Sequence, residues 1–215
     1  MPLTILRKHY IVNERHGESS CRELIPPEVL VHAYARGLFP MAQARHDPDV
    51  RWYELRMRGI IPMDRFRVSR KIDRLIRRSN YEWSVNRDFA GVIEACADRE
   101  QTWISDRIID SYKELHRQGF AHSVEIWQGG SLAAGLYGVA LQSAFFAESL
   151  FQREPEMSKV ALYYCHKRLL EAGYMLWDVQ FYTSHLAQFG CIEIRAGEYS
   201  KLLSKALGRP ARFDR

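Results

Sequence analysis

The chain has 215 residues, with 31 Lys or Arg against 26 Asp or Glu, a formal net charge of +5 and 47% hydrophobic content. That length is enough for one sizeable core or two modest ones, and the composition is ordinary for a folded globular protein. There is no run of 18 apolar residues, no signal-peptide pattern and no lipidation motif; these absences argue against a membrane partner and lead us to expect a cytoplasmic protein.

The first 20 or so residues lack hydrophobic periodicity and are expected to be mobile. Pro26 and Pro27 then open a helix, Glu28 suits its first turn, and Gly37 ends it after VLVHAYAR. Short strands among Pro40, Pro48, Gly59 and Pro62 complete a small mixed N-terminal domain, expected over residues 1–63. Between Arg56 and Arg78 stand nine Lys or Arg and two Asp, a local +7, so the remaining residues sum to about −2. Ser69 can cap a helix there. Its Ile72, Leu75 and Ile76 would face inward, with Arg70, Lys71, Arg74, Arg77 and Arg78 on the outer side. Such a face is either simply solvated or a docking surface for a phosphate backbone.

A second domain is expected over residues 64–215. Asp88 caps FAGVIEACA, Ser105 caps DRIIDSYKELHRQ, and Gly119 stops the latter. The strand AHSVEIW turns through Gln128, Gly129 and Gly130 into SLAAGLYGVAL, and a third strand runs through Phe145 and Phe146. A helix from Ser158 to Glu171, a strand to Gln180, a short helix through His185 and Leu186, and a last strand and helix give an α+β layer arrangement.

The stretch from residue 143 to 180 reads as strand, helix, strand, and brings Glu148, Asp178 and Gln180 toward one end of a sheet. Strand alternation puts Asp178 and Gln180 on one face, with Trp177 and Val179 on the other. A carboxylate beside an amide can orient it, accept a proton or hold an amine; a strand-end pair capping backbone groups is the alternative. Cys21, Cys96, Cys165 and Cys191 are scattered, with no C-x-x-C pair, so neither a disulfide framework nor zinc is expected. Cys165 and His166, adjacent on a helix, point in different directions, and His122 reads as a structural histidine on a half-buried strand.

AYARGLFP, TWISDRIIDSYKELHRQGFAHSVEIW, GLYGVA, AESLF, SKVAL, WDVQ and HLAQFG occur in this order, and the set resembles the leucyl/phenylalanyl-tRNA-protein transferases from about Val29 to Leu203. The resemblance implies an acetyltransferase-like (GNAT-like) C-terminal domain. It also implies movement of leucine, or phenylalanine or methionine, from charged tRNA to the N-terminal amine of proteins starting with Arg or Lys, which marks them for degradation. Asp178, Gln180 and Glu148 become the catalytic candidates: Asp178 would orient Gln180, Gln180 would hold the acceptor amine, and Glu148 would bind an ammonium of donor or acceptor. Leu136, Phe145, Leu150, Leu162 and Trp177 become walls of the amino-acid pocket, and Trp52, Tyr53 and Trp103 candidates for stacking on the terminal adenine. The basic segment, through Arg65, Arg67, Arg70, Lys71, Arg74, Arg77 and Arg78, would bind tRNA. No cofactor, metal or DNA is implied, and a monomer is expected.

The chain departs from the family pattern in places. The glycine-rich GGDL segment is missing, and Arg51-Trp52-Tyr53-Glu54 replaces Trp-Trp-Ser-Pro. Ala147 stands for a glycine, Gln152 for a serine and Val179 for a cysteine. Leu150 stands for methionine and Trp177 for an aliphatic residue, so leucine is expected over phenylalanine. Altered loops leave acceptor preference open. Two rivals remain. Acetyl transfer from acetyl-CoA needs a glycine-rich turn, yet the stretch from Gln152 to Ser158 has no glycine, one proline and two acids. A non-catalytic tRNA-binding scaffold would have no use for Glu148, Asp178 and Gln180 together.

Overall fold

A computed structural model describes residues 24–78 and 80–214, so the aperiodic N-terminal segment and Cys21 lie outside the described residues. Helix α1 (Pro27–Ala35) carries proline in its first turn, where a missing N–H costs nothing. Strands β1 (Phe39–Met41) and β2 (Arg51–Tyr53) pair as a small antiparallel sheet, and β3 (Met57–Ile60) follows. Helix α2 (Arg70–Arg78) is capped as its sequence demands, the Ser69 hydroxyl accepting from the Ile72 N–H at 3.4 Å. After β4 (Glu82–Val85), helices α3 (Phe89–Ala97) and α4 (Asp106–Arg117) are capped by Asp88 and Ser105. Strands β5 (Ala121–Gln128) and β6 (Ser131–Leu141) form a hairpin on Gly129 and Gly130, whose φ values of +58° and +80° suit a two-residue turn that side chains would strain. Then come β7 (Ala144–Gln152), α5 (Met157–Glu171), β8 (Leu176–Gln180), α6 (Ser184–Ala187), β9 (Ile192–Arg195) and α7 (Ala196–Leu207).

Seven strands form one mixed sheet in the order β4-β5-β6-β7-β8-β3-β9, antiparallel except for the β7–β8 pair. Strand β3, which precedes position 63, is hydrogen-bonded between β8 and β9, so early chain completes the sheet that later chain builds. Helices α1, α3, α4 and α7 bury their apolar residues against one face, while α5, with Leu75 and Ile76 of α2, packs on the other. Burial on both faces explains why the central strands read as near-continuous apolar runs. Alternation sorts them: Phe146 and Leu176 face the α1/α4 side, Phe145 and Trp177 the α5 side. No helix among the described residues is long and apolar enough to cross a membrane.

Two irregularities position the site. Strands β7 and β8 pair only over Ala144–Phe146 and Leu176–Asp178, after which β7 runs on with no strand partner on that side among the described residues. The β6–β7 register slips between Tyr137↔Ser149 and Gly138↔Ala147, making Glu148 the extra residue of a β-bulge.

Candidate active site

Asp178, fully buried on β8, is the hub. Arg58 on β3 donates to it from Nε at 2.9 Å and 3.1 Å and from Nη2 at 2.7 Å, Tyr199 of α7 donates its hydroxyl at 2.6 Å, and the Gln180 backbone N–H donates at 2.8 Å. Arg58 is itself buried. Its Nη1 donates to the Gly37 carbonyl at 2.9 Å, and its guanidinium lies against the rings of Phe39 and Tyr199. Burial opposes the Arg58 charge, but the Asp178 carboxylate beside it wins and raises the Arg58 pKa above the usual arginine value. Arg58 therefore leaves the local +7 of the basic segment, because its charge is spent inside the protein as the counter-ion of Asp178. The Asp178 carboxylate has its hydrogen-bonding capacity committed to these three partners, so its oxygens hold the frame around the site together.

Gln180 takes a left-handed backbone, φ +54°, held by that bond to Asp178. The bond differs from the expected one, because Asp178 fixes the Gln180 backbone and not its amide. The amide Nε2 instead donates to Glu148 Oε1 at 3.2 Å across the opening between β7 and β8. Gly59 lies opposite, where a Cβ would sit 2.7 Å from the Phe181 carbonyl carbon, so only glycine lets the chain leave β8 this closely.

The bulge turns the strand over just beyond Glu148. Alternation from Phe146 puts Glu148 on the α1/α4 side, facing Tyr34 of α1 and Tyr112 of α4, and would carry Leu150 there too; with the extra residue Leu150 packs on the α5 side and Phe151 on the other. These two buried phenols hydrogen-bond to each other. Burial pushes the Glu148 carboxyl up to about 8; the Asp178 charge adds to this, whereas hydrogen bonds from Tyr34 and Tyr112 and the Arg58 charge pull it back. A carboxyl near 8 beside a primary amide is equipped to bind an amine and exchange a proton with it close to neutrality.

Glu148, Asp178 and Gln180 thus come together. Leu136, Phe145, Leu162 and Trp177 are buried on the α5 side of the sheet, the face opposite Asp178, with Leu150 partly buried beside them. The Trp177 ring lies 5.6 Å from that of Phe66, and its buried indole N–H has no partner among the described residues. Trp52, Tyr53 and Trp103 are half-buried around the small sheet: Tyr53 stacks on Phe39 at 6.0 Å, and the Trp103 carbonyl accepts from the Ala42 N–H. Arg65, Arg67, Arg70, Lys71, Arg74, Arg77 and Arg78 are all exposed on or before α2, with Lys71 paired to Glu156 at 2.8 Å and Arg77 to Asp73 at 3.1 Å. His122 lies apart, with both ring nitrogens in hydrogen bonds to Asn86 and Gly119, and burial lowers it to about 4.

Sequence reading missed Arg58, Tyr34, Tyr112 and Tyr199. One signal was present: an aspartate inside the apolar run of β8 requires a buried cation, and Arg58 is the basic residue directly preceding the apolar Gly59-Ile60-Ile61.

Fold and site together define an α+β protein that presents a carboxylate and an amide in the opening of a mixed sheet, braced by a buried ion pair. The family model described as leucyl/phenylalanyl-tRNA protein transferase matches residues 60–204, and that of its N-terminal domain matches residues 24–56. A protein named leucyl/phenylalanyl-tRNA--protein transferase from Ruegeria sp. strain TM1040 is 52% identical over 186 residues, covering 86% of this chain and 89% of its own. Its namesake in Ruegeria pomeroyi is 49% identical over 189 residues, covering 88% and 90%. Among solved structures, that of L-PGS from Bacillus licheniformis superposes with a TM-score of 0.44 at 12% identity, covering 80% of this chain and 67% of that one. The chain belongs to the leucyl/phenylalanyl-tRNA protein transferase family.

Proposed function

We propose that this protein is an aminoacyltransferase that moves leucine, or phenylalanine or methionine, from charged tRNA to the N-terminal amine of cytoplasmic proteins beginning with Arg or Lys, marking them for degradation. The observation that carries the reading is the Glu148–Gln180 contact at 3.2 Å, with Glu148 raised to about 8. An N-terminal amine has a reference pKa of about 7.7–8.0, so a proton passes between ammonium and Glu148 at almost no energetic cost. Because the Gln180 amide nitrogen is committed to Glu148, its oxygen is left to hold the amine. The Asp178–Arg58 pair positions Gln180 without entering the chemistry.

The amine nitrogen attacks the ester carbonyl, forming the amide bond as the bond to the terminal ribose oxygen breaks. Glu148 takes the amine proton and returns it to that leaving oxygen. Alignment of amine and ester supplies much of the acceleration, up to about 7–11 kcal/mol, and proton exchange typically adds about 10²–10⁴-fold.

Leu136, Phe145, Leu150, Leu162 and Trp177 wall an apolar pocket for the amino-acid side chain, with the bulk of Trp177 favouring leucine. Trp52, Tyr53 and Trp103 offer stacking surfaces to the terminal adenine, and the exposed cations of α2 bind the RNA backbone. The parallel β7–β8 pair that separates beyond three residues supports an acetyltransferase-like domain, and the protein acts as a monomer. Labelled leucyl-tRNA mixed with peptides starting with Arg, Lys, Asp, Glu or Ala tests this. Label is expected in the Arg and Lys peptides, and no transfer to any of them would overturn the reading.

A further inference from the structure

Two adjoining clefts of about 500 Å³ and 530 Å³ lie between the end of α3, the far end of β7 and the start of α5. Both are lined by Arg99 and Arg153, neither of which forms an ion pair among the described residues. Arg99 donates to the Leu150 carbonyl and, at 3.2 Å, to the Ser149 hydroxyl. Arg153 donates to the Leu132 carbonyl at 3.2 Å and lies over the Phe151 ring. Neutral acceptors hold both guanidiniums in place and leave their charge unanswered. Arg45, in contrast, lines the first cleft with its charge spent on Glu94 and Asp106. Of the two acids at the clefts, Glu94 is tied to Arg45 and Lys113, and Asp98 stands exposed at the rim.

We infer that Arg99 and Arg153 form a phosphodiester-binding site for the single-stranded 3′ tail of the donor RNA, separate from the basic face of α2. The residues that hold Arg99, Ser149 and Leu150, directly follow Glu148 on β7, so the anion site and the reacting carboxyl share one strand. The ester hangs on the terminal ribose, which places the first backbone phosphate within one nucleotide of the reaction. A guanidinium held by carbonyls is preorganised for such an oxygen pair. Anchoring the tail here sets the ester at the opening between β7 and β8, while α2 supplies affinity farther along the RNA.

The inference rests on the transfer reading, and the experiment separates the two. Initial rates are measured for wild type, Arg153→Gln, Arg99→Lys and Arg99→Gln with two donors: leucyl-tRNA and leucyl-adenosine, which has no phosphate. The preference in kcat/KM for leucyl-tRNA over leucyl-adenosine should fall at least about tenfold in each Gln variant, as expected for a lost charged hydrogen bond, and Arg99→Lys should recover part of it. The dependence of log affinity for an uncharged cytidine-cytidine-adenosine trinucleotide on log salt should also become shallower by about 0.7 per arginine removed. An unchanged preference, with equal losses on both donors or a rise only in the KM of the peptide, overturns the site. Trinucleotide binding judges it even if wild type transfers from neither donor, an outcome that would refute the transfer reading alone.

Discussion

Replacing Glu148 by glutamine asks whether this carboxyl shares the acceptor's proton. If the productive complex holds one proton between Glu148, near 8, and an amine near 7.8, its population is about 2.5% at pH 6, 20% at pH 7, 50% at pH 8 and 14% at pH 9. Wild-type kcat/KM should therefore rise about 20-fold from pH 6 to 8 and then decline. In Glu148→Gln only the free amine reacts, so the profile should climb to a plateau, lower by about 10²–10⁴-fold. The ratio of wild type to variant cancels the titration of both substrates. It should be flat below about pH 8 and fall tenfold per unit above, tracking protonated Glu148. The assay is initial-rate transfer of label from leucyl-tRNA to an Arg-initiated peptide, corrected for donor hydrolysis in enzyme-free controls. A ratio that climbs tenfold per unit up to pH 8 would mean that Glu148 works ionised beside an already neutral amine, and a flat ratio near one would make it a bystander; either refutes proton sharing.

Three further outcomes follow from the same geometry. A carboxyl whose pKa is raised on folding stabilises the fold fully below its unfolded value of about 4.3 and loses that contribution as pH rises through about 8; Glu148→Gln should thus gain in Tm relative to wild type between pH 5 and 8.5, and a constant difference would contradict the raised value. Arg58→Met leaves the Asp178 carboxylate buried without its cation, the two side chains being 2% and 0% exposed, and should cost about 3–5 kcal/mol in urea unfolding, partly recovered by adding Asp178→Asn; a loss below about 1 kcal/mol would show the pair to be dispensable. On the proposed pocket, Trp177→Leu should shift the ratio of initial rates for phenylalanyl- over leucyl-tRNA upward by about tenfold, because it would shorten a wall and remove an indole N–H that has no partner among the described residues; an unchanged ratio would remove Trp177 from the proposed pocket.

What the chain declares locally survives folding. Ser69, Asp88 and Ser105 cap the helices they precede, and Gly129 with Gly130 makes the tight hairpin turn, because each of these effects spans only a few residues. The grouping of Asp178 with Gln180 was legible for the same reason, since strand alternation is a property of the backbone. The function of the site was not so local. Arg58 sits in a basic run and reads as one more surface cation until it is seen to face Asp178, 120 residues away in sequence. The bulge that turns Leu150 away from the face of Glu148 is a mismatch of register between two strands, and no single strand contains that information. Sequence alone therefore determined the elements, their caps and the residue types of the site. Strand order and register, settled by pairing between distant segments, decided which carboxylate is locked to an arginine and which is left with a raised pKa beside the amide.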